Sequence, residues 1–156
     1  MNTLTLEKHC WAEIDLTALR ENYEYIRRTV GGPVCAVVKA DAYGHGDNVI
    51  ARVLQEAGAA GFAVSSLGEG RHLRRGGITT PILILGYTPV AAYPTAIRQG
   101  IRPSIFHYED ALALSQAAQD AGLTDVPFHF ALDTGMSRIG FQATAAAADQ
   151  CARIAA

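Results

Sequence analysis

Short apolar runs recur along the chain at Val34 to Val38, Gly61 to Val64, Pro81 to Leu85, Arg102 to Phe106 and Val126 to Leu132. Segments with helical periodicity separate them, so the pattern predicts strands alternating with helices. Leu16, Leu19, Tyr23, Ile26 and Val30 share one face of a helix that begins after Asp15 or Thr17. Val49, Ile50, Val53, Leu54 and Ala57 form a second stripe that ends before Gly58. Ser66 and Glu69 stand at capping-box spacing, and Arg71, Arg74 and Arg75 put positive charge into the later turns before Gly76 and Gly77. Each predicted helix carries an apolar stripe that can cover a sheet.

Strands without polar alternation imply a parallel sheet buried on both faces, which leaves an open doubly wound sheet or a closed (β/α)8 barrel. A complete barrel takes about 250 residues, with about 200 near the lower limit. The 156 residues carry five clear β/α strands and an earlier strand-like run at Cys10 to Ile14. Thr144 to Ala156 is Ala-rich and helix-periodic, yet stops without Gly, Pro or a basic last turn. The expectation is an α/β fold built from parallel β/α units of an incomplete (β/α)8 TIM-type barrel, ending in mid-domain, with about five of the eight strands. No low-complexity linker and no heptad pattern interrupts residues 1–156.

Composition narrows the functional classes. With 13 Lys+Arg against 15 Asp+Glu the formal net charge is −2, so no global positive field exists to hold nucleic acid or an anionic membrane. The run Pro81-Ile-Leu-Ile-Leu-Gly86 is far short of the roughly 20 apolar residues that span a bilayer. The N-terminus lacks a signal peptide's apolar stretch, and the expected location is the cytoplasm. Cys10, Cys35 and Cys151 form no CxxC pair and are expected as reduced thiols packed in the core.

Chemistry in either fold collects where strands end. Lys39 follows the apolar run Val34 to Val38 and precedes Ala40-Asp-Ala-Tyr-Gly-His-Gly46. An amine there can snorkel to water along its apolar stem, or it can be a partly desolvated nucleophile for Schiff-base or proton-transfer chemistry. Gly44 and Gly46 allow a ligand to approach the backbone just before a helix start, or they merely shape a turn. His45 reads as a hydrogen-bonded loop histidine, and no metal is assigned. Asp133 ends the last strand-like run and Arg138 follows in the loop. Arg138 can clamp a carboxylate or oxyanion, or pair with Asp133 at the surface.

These motifs carry a resemblance. Val37-Val-Lys-Ala-Asp-Ala-Tyr-Gly-His-Gly46 resembles the cofactor-lysine motif of the alanine racemases, pyridoxal 5'-phosphate enzymes with an N-terminal (β/α)8 barrel and a C-terminal β domain. Matches continue at Trp11-Ala-Glu-Ile-Asp-Leu16, Glu69-Gly-Arg-His-Leu-Arg-Arg75, Pro81 to Gly86 and Asp133-Thr-Gly-Met-Ser-Arg-Ile-Gly140. The resemblance implies that residues 1–156 are the N-terminal part of the cofactor-binding barrel, with the C-terminal β domain absent. It also implies that the strand near Trp11 pairs with that other domain.

By the same resemblance, Lys39 is the lysine that holds pyridoxal 5'-phosphate as a Schiff base and then works as the base on one face of the substrate α-carbon. Tyr43 resembles the phosphate-contacting tyrosine, and Leu85 falls where a side chain packs by the cofactor ring. Arg138 resembles the arginine that bonds the cofactor's phenolic oxygen near the substrate carboxylate. Many members carry a carbamylated lysine two residues before the Asp-Thr-Gly-Met run, where this chain has Ala131. The support of Arg138 must then come from Asp133, water or a bound anion.

The implied activity is interconversion of L- and D-alanine, supplying D-alanine for peptidoglycan, in a homodimer whose partner subunit lends a tyrosine as second base. Residues 1–156 alone are expected to be inactive. Three alternatives stand beside it: serine racemisation on the same scaffold, a non-catalytic barrel protein that handles pyridoxal phosphate, and a self-sufficient open α/β domain with no cofactor.

Overall fold

The computed structural model describes residues 10–155. Helix α1 (Leu16–Val30) begins where the sequence places it. The Asp15 carboxylate accepts hydrogen bonds from the Thr17 and Ala18 amides at 2.9 and 3.0 Å, and Gly31 closes the helix in the left-handed conformation. The chain continues through β1 (Cys35–Val37), α2 (Lys39–Gly44), α3 (Asp47–Glu56), β2 (Gly61–Val64), α4 (Leu67–Arg75) and β3 (Ile82–Ile84). A 3-10 turn at Val90–Ala92 leads into α5 (Tyr93–Arg98), β4 (Ile101–Arg102), β5 (Ser104–Ile105) and α6 (Tyr108–Asp120). Last come β6 (His129–Phe130), β7 (Leu132–Asp133), β8 (Phe141–Gln142) and α7 (Ala145–Ala155).

All the strand pairs are parallel, and the sheet order follows the chain: β1-β2-β3-β4, then β5-β6 and β7-β8. The run from Ile101 to Ile105 shows how the wall curves. Its first half pairs backwards, Ile82 with Ile101 and Leu83 with Arg102, and its second half pairs forwards, Ser104 with His129 and Ile105 with Phe130. Pro103, which has no N–H, sits at the changeover. Strands that stagger steadily in one direction are what closing a sheet into a barrel requires. The fold is therefore the consecutive parallel staves of a TIM-type barrel with helices between them, as the apolar runs predict.

Two clusters of buried side chains join the staves to their helices. The larger includes Ile50 and Leu54 of α3, Leu73 of α4, and Phe62, Val64, Ile82, Ile84 and Ile101 from the sheet. The smaller packs Tyr93 and Ile97 against Ile105, Leu114 and Ala118. Each fully buried side chain such as Phe62 or Leu73 contributes about 1.5–3 kcal/mol relative to exposure. The Arg74 guanidinium ties the lower ends of the staves, donating to the carbonyls of Ile78, Thr80, Gln99 and Gly100 at 2.7–3.0 Å. Burial lowers its affinity for its proton from the ordinary arginine value.

Several expectations need correcting. Cys10 to Ile14 is not a strand: Trp11 is exposed, its indole donates to Glu13 at 3.2 Å, and this run has no strand partner among the described residues. A lone extended segment has no ladder to hold it. The stripes also overshoot the core. Ile26 and Val30 at the end of α1 and Val49 in α3 are exposed, because only part of each helix lies over the sheet. Cys10 and Cys35 are exposed and Cys151 is half-buried, so none is a core residue. The short strand β8 was not legible, since its two residues follow a Gly-rich loop and show no run at all.

Candidate active site

Parallel strands in chain order bring all their carboxyl ends to one edge. Lys39 follows β1, Ser65 follows β2, Leu85 follows β3, Phe106 and His107 follow β5, and Asp133 ends β7. The site residues that the sequence singles out, Lys39 and Tyr43, Leu85, and Asp133 with Arg138, therefore share this edge, although they come from three different β/α units.

The segment after Lys39 is unusual. Ala40, Asp41, Ala42 and Tyr43 all have φ between 51° and 56°, so α2 coils left-handed without a single glycine among those four. Each such residue costs about 1–2 kcal/mol relative to the right-handed form. The turn is fastened from several sides. The Ala42 amide donates to the Val38 carbonyl at 3.0 Å, the Gly46 amide to the Asp41 carbonyl at 2.9 Å, and the Asp47 amide to the Asp41 carboxylate at 2.8 Å. His45 Nδ1 lies 2.9 Å from the Ala42 carbonyl, the hydrogen-bonded loop role expected of it. Ala42 itself is buried in the core.

One consequence of this coil is the pairing of two expected site residues. Lys39 is half-buried, and its Nζ lies over the Tyr43 ring, 5.9 Å from the centroid, while the Tyr43 ring is exposed at the strand-end edge. Leu85 is exposed at the end of β3, and its amide donates to the Val64 carbonyl at 2.8 Å. At Gly86 the two loops nearly touch: an added Cβ would lie 2.5 Å from the Ser65 carbonyl oxygen. A side chain there would fill the approach that brings β2 and β3 together.

Glu69 crosses between two of these loops. Its carboxylate accepts from the Ala40 amide at 3.0 Å and from the Ser65 amide at 2.6 Å, while its own amide donates to the Ser66 hydroxyl at 3.4 Å. Partial desolvation pushes its pKa up, but the Ala40 and Ser65 hydrogen bonds outweigh that and hold it below the usual carboxylate value.

The Arg138 loop is organised by Asp133. This buried carboxylate accepts from the Gly135 and Ser137 amides, each at 2.9 Å, and from the Gln142 side chain at 3.0 Å. The Ser137 amide first, then those of Gly135 and Gln142, lower its pKa. Ser137 is held at φ 57°. Arg138 is exposed, and among the described residues it makes no hydrogen bond or ion pair. Of the supports open at Arg138, Asp133 thus acts on the loop backbone rather than on the guanidinium. Ala131 occupies the adjoining half-buried position, where its carbonyl accepts from the Phe141 amide.

Phe106 and His107 line a cavity with Asp133, Ser137 and Arg138, and the Phe106 and His107 rings meet edge to face at 4.9 Å. Neither residue was singled out in the sequence. Their position at the end of the fourth apolar run was the available signal. No described helix is long and apolar enough to cross a membrane.

The fit to an aldehyde cofactor bearing a phosphate can be judged from these groups. An amine on a fixed turn, a phenol beside it and an exposed guanidinium at the same edge are of the residue types that form an imine, donate to a phosphate and pair with an oxyanion. Those residue types fit pyridoxal 5'-phosphate.

Comparison with known proteins shows what the chain as a whole is similar to. Residues 14–156 match the family model described as alanine racemase, N-terminal domain. The chain is 47% identical over 135 residues to alanine racemase 1 of Clostridium acetobutylicum, covering 86% of this chain and 35% of that protein. It is 44% identical over 147 residues to the alanine racemase of Desulfovibrio desulfuricans, covering 93% and 39%. The solved alanine racemase of Clostridium difficile 630 superposes with a TM-score of 0.87 at 37% identity, over 92% of this chain and 38% of that one. The chain thus spans between a third and two fifths of the length of these proteins.

Proposed function

The chain belongs to the family of alanine racemase N-terminal domains, and on that premise we propose that it is the cofactor-holding barrel portion of an amino-acid racemase acting on alanine. The observation that carries the reading is the left-handed turn that puts the Lys39 amine over the Tyr43 ring, on the same strand-end edge as Leu85 and Arg138. Lys39 would hold pyridoxal 5'-phosphate covalently, Tyr43 would contact its phosphate, Leu85 would pack by its ring, and Arg138 would bond its phenolic oxygen. Bound there, the cofactor supplies an electron sink that makes the substrate α-proton removable.

The side chains do the rest. The Lys39 amine would take a proton from one face of the substrate α-carbon at Nζ. The Arg138 fork orients the substrate through its carboxylate, and Asp133 keeps the loop beneath that fork in shape. Racemisation needs a second proton-carrying group on the opposite face. The family resemblance assigns that group to a tyrosine of a partner subunit's C-terminal domain, so a homodimer completes the proposed site and a further β domain completes the proposed protein. A soluble cytoplasmic enzyme supplying D-alanine for peptidoglycan follows from the same reading.

Borohydride reduction of the protein loaded with pyridoxal phosphate, followed by peptide mapping, tests the assignment. The label is expected on Lys39, together with D-alanine formation from L-alanine by the complete protein. Label on another lysine removes the site assignment, and serine turnover exceeding alanine turnover replaces the substrate.

A further inference from the structure

Lys39 owes its position to a backbone coil that its own sequence does not favour. Ala40-Asp41-Ala42-Tyr43 has no glycine, and all four residues are left-handed, a conformation that persists only where the surroundings impose it. Of the hydrogen bonds that fasten the turn, those from Ala42, Gly46 and Asp47 stay within the same β/α unit. The bond from the Ala40 amide, immediately after Lys39, goes to Glu69 of α4, 29 residues away.

Glu69 stands at the capping-box position relative to Ser66, and a capping-box glutamate returns to the amide of the cap residue itself. Here one oxygen takes the Ser65 amide, one residue before the cap, with the Ser66 amide also acting to lower the carboxylate's pKa, and the other oxygen is spent on Ala40. Helix capping does not account for the bond to Ala40. The carboxylate bridges the carboxyl ends of β1 and β2, which are neighbours in the sheet, at the one peptide unit that links Lys39 to its coil.

We propose that Glu69 is a positioning residue for Lys39: its two carboxylate oxygens pin the Ala40 and Ser65 amides and so set the start of the left-handed turn that aims the lysine amine. The inference rests on the reading that Lys39 holds the cofactor. Both oxygens are needed as acceptors. A glutamine can satisfy only one amide and would turn its own N–H groups toward the other. Glu69→Gln should therefore behave almost as Glu69→Ala does.

Two measurements test this in the protein that carries the chain. Amide hydrogen exchange in the cofactor-free form reads the clamp directly: the Ala40 and Ser65 amides should exchange at least tenfold faster in Glu69→Gln and Glu69→Ala. With pyridoxal phosphate added, the visible circular dichroism band of the bound cofactor should weaken and its affinity should fall about tenfold or more, the effect of losing one charge-assisted hydrogen bond. Ser66→Ala is the control. It loosens the same helix start through the Ser66 to Glu69 bond but leaves the clamp intact, so it should keep the parent's dichroism and affinity.

Unchanged Ala40 exchange in both Glu69 variants overturns the proposal. So does faster exchange with the parent's dichroism and affinity, or a loss of the band in Ser66→Ala equal to that in Glu69→Gln. A parent protein that borohydride does not label at Lys39 overturns the underlying reading instead, and the exchange result separates the two failures. Should Glu69→Ala fail to fold, Glu69→Gln, which preserves the side-chain shape, carries the same test.

Discussion

The Asp133 carboxylate accepts the Ser137 amide at 2.9 Å and thereby closes the loop that ends in Arg138. The same oxygen takes the Gly135 amide, and the other oxygen takes Gln142 of β8. An acid five residues before the arginine thus shapes the loop without pairing with it, and the loop keeps an exposed guanidinium available for an anion.

The sign of the pH dependence follows. Asp133 has its folded-state pKa lowered, the Ser137 amide being the main cause, so its contribution is fully present above the ordinary carboxylate value of about 4 and is lost as the pH falls through the lower folded value. Ordering of residues 133–140, followed by amide exchange or by an NMR signal of Ser137, should be constant from about pH 8 to 5 and fail in stronger acid. Asp133→Ala removes the acceptor of both loop amides and should loosen the loop across that whole range. A parent loop that melts near pH 6 would show that a group other than Asp133 controls it.

Arg138→Lys should be a poor replacement, because a point ammonium cannot reproduce a planar fork facing an oxygen and a carboxylate. One charge-assisted hydrogen bond is worth about 1.5–3 kcal/mol, so kcat/KM and cofactor affinity should fall roughly ten- to a hundredfold. Steady-state kinetics of the complete protein check this, and parent-like values would assign Arg138 to the surface.

Lys39→Arg keeps a charge and a long stem but offers no amine that forms a useful imine at neutral pH. It should lose essentially all turnover and all borohydride labelling while circular dichroism in the far ultraviolet stays that of the parent. Retained turnover would exclude covalent cofactor attachment at this residue.

The legible parts of this molecule were those written in local chemistry. Asp15 caps α1 as its position predicts, Gly31 ends it, and the apolar runs at Gly61 and Pro81 become adjacent parallel staves. Lys39 and Asp133 stand at the carboxyl ends of β1 and β7, where the apolar runs place them. The turn after Lys39 is not legible, because Ala and Tyr have no intrinsic left-handed preference and contacts from Glu69, Val38, Gly46 and Asp47 impose it. Cys10 to Ile14 misled for the opposite reason. Alternation and apolarity favour a strand there, but strand formation needs a neighbour.

The close approach at Gly86 gives a last prediction, one that separates the site from general stability. An alanine Cβ would sit 2.5 Å from the Ser65 carbonyl, a backbone atom with little freedom because its residue's amide is held by Glu69. The β2 and β3 ends must then part, at a cost of about 1–3 kcal/mol typical of overpacking. Gly31→Ala is the matched comparison: its φ of 69° makes alanine unfavourable by about 1 kcal/mol or more, yet an added Cβ there has nothing within 4 Å. Both variants should lower the melting temperature. Only Gly86→Ala should also weaken pyridoxal phosphate binding and shift the visible dichroism, since only it moves Ser65, and with Ser65 the carboxylate that holds Ala40. Equal cofactor affinity in the two variants would mean that the β2 and β3 ends move without disturbing Lys39.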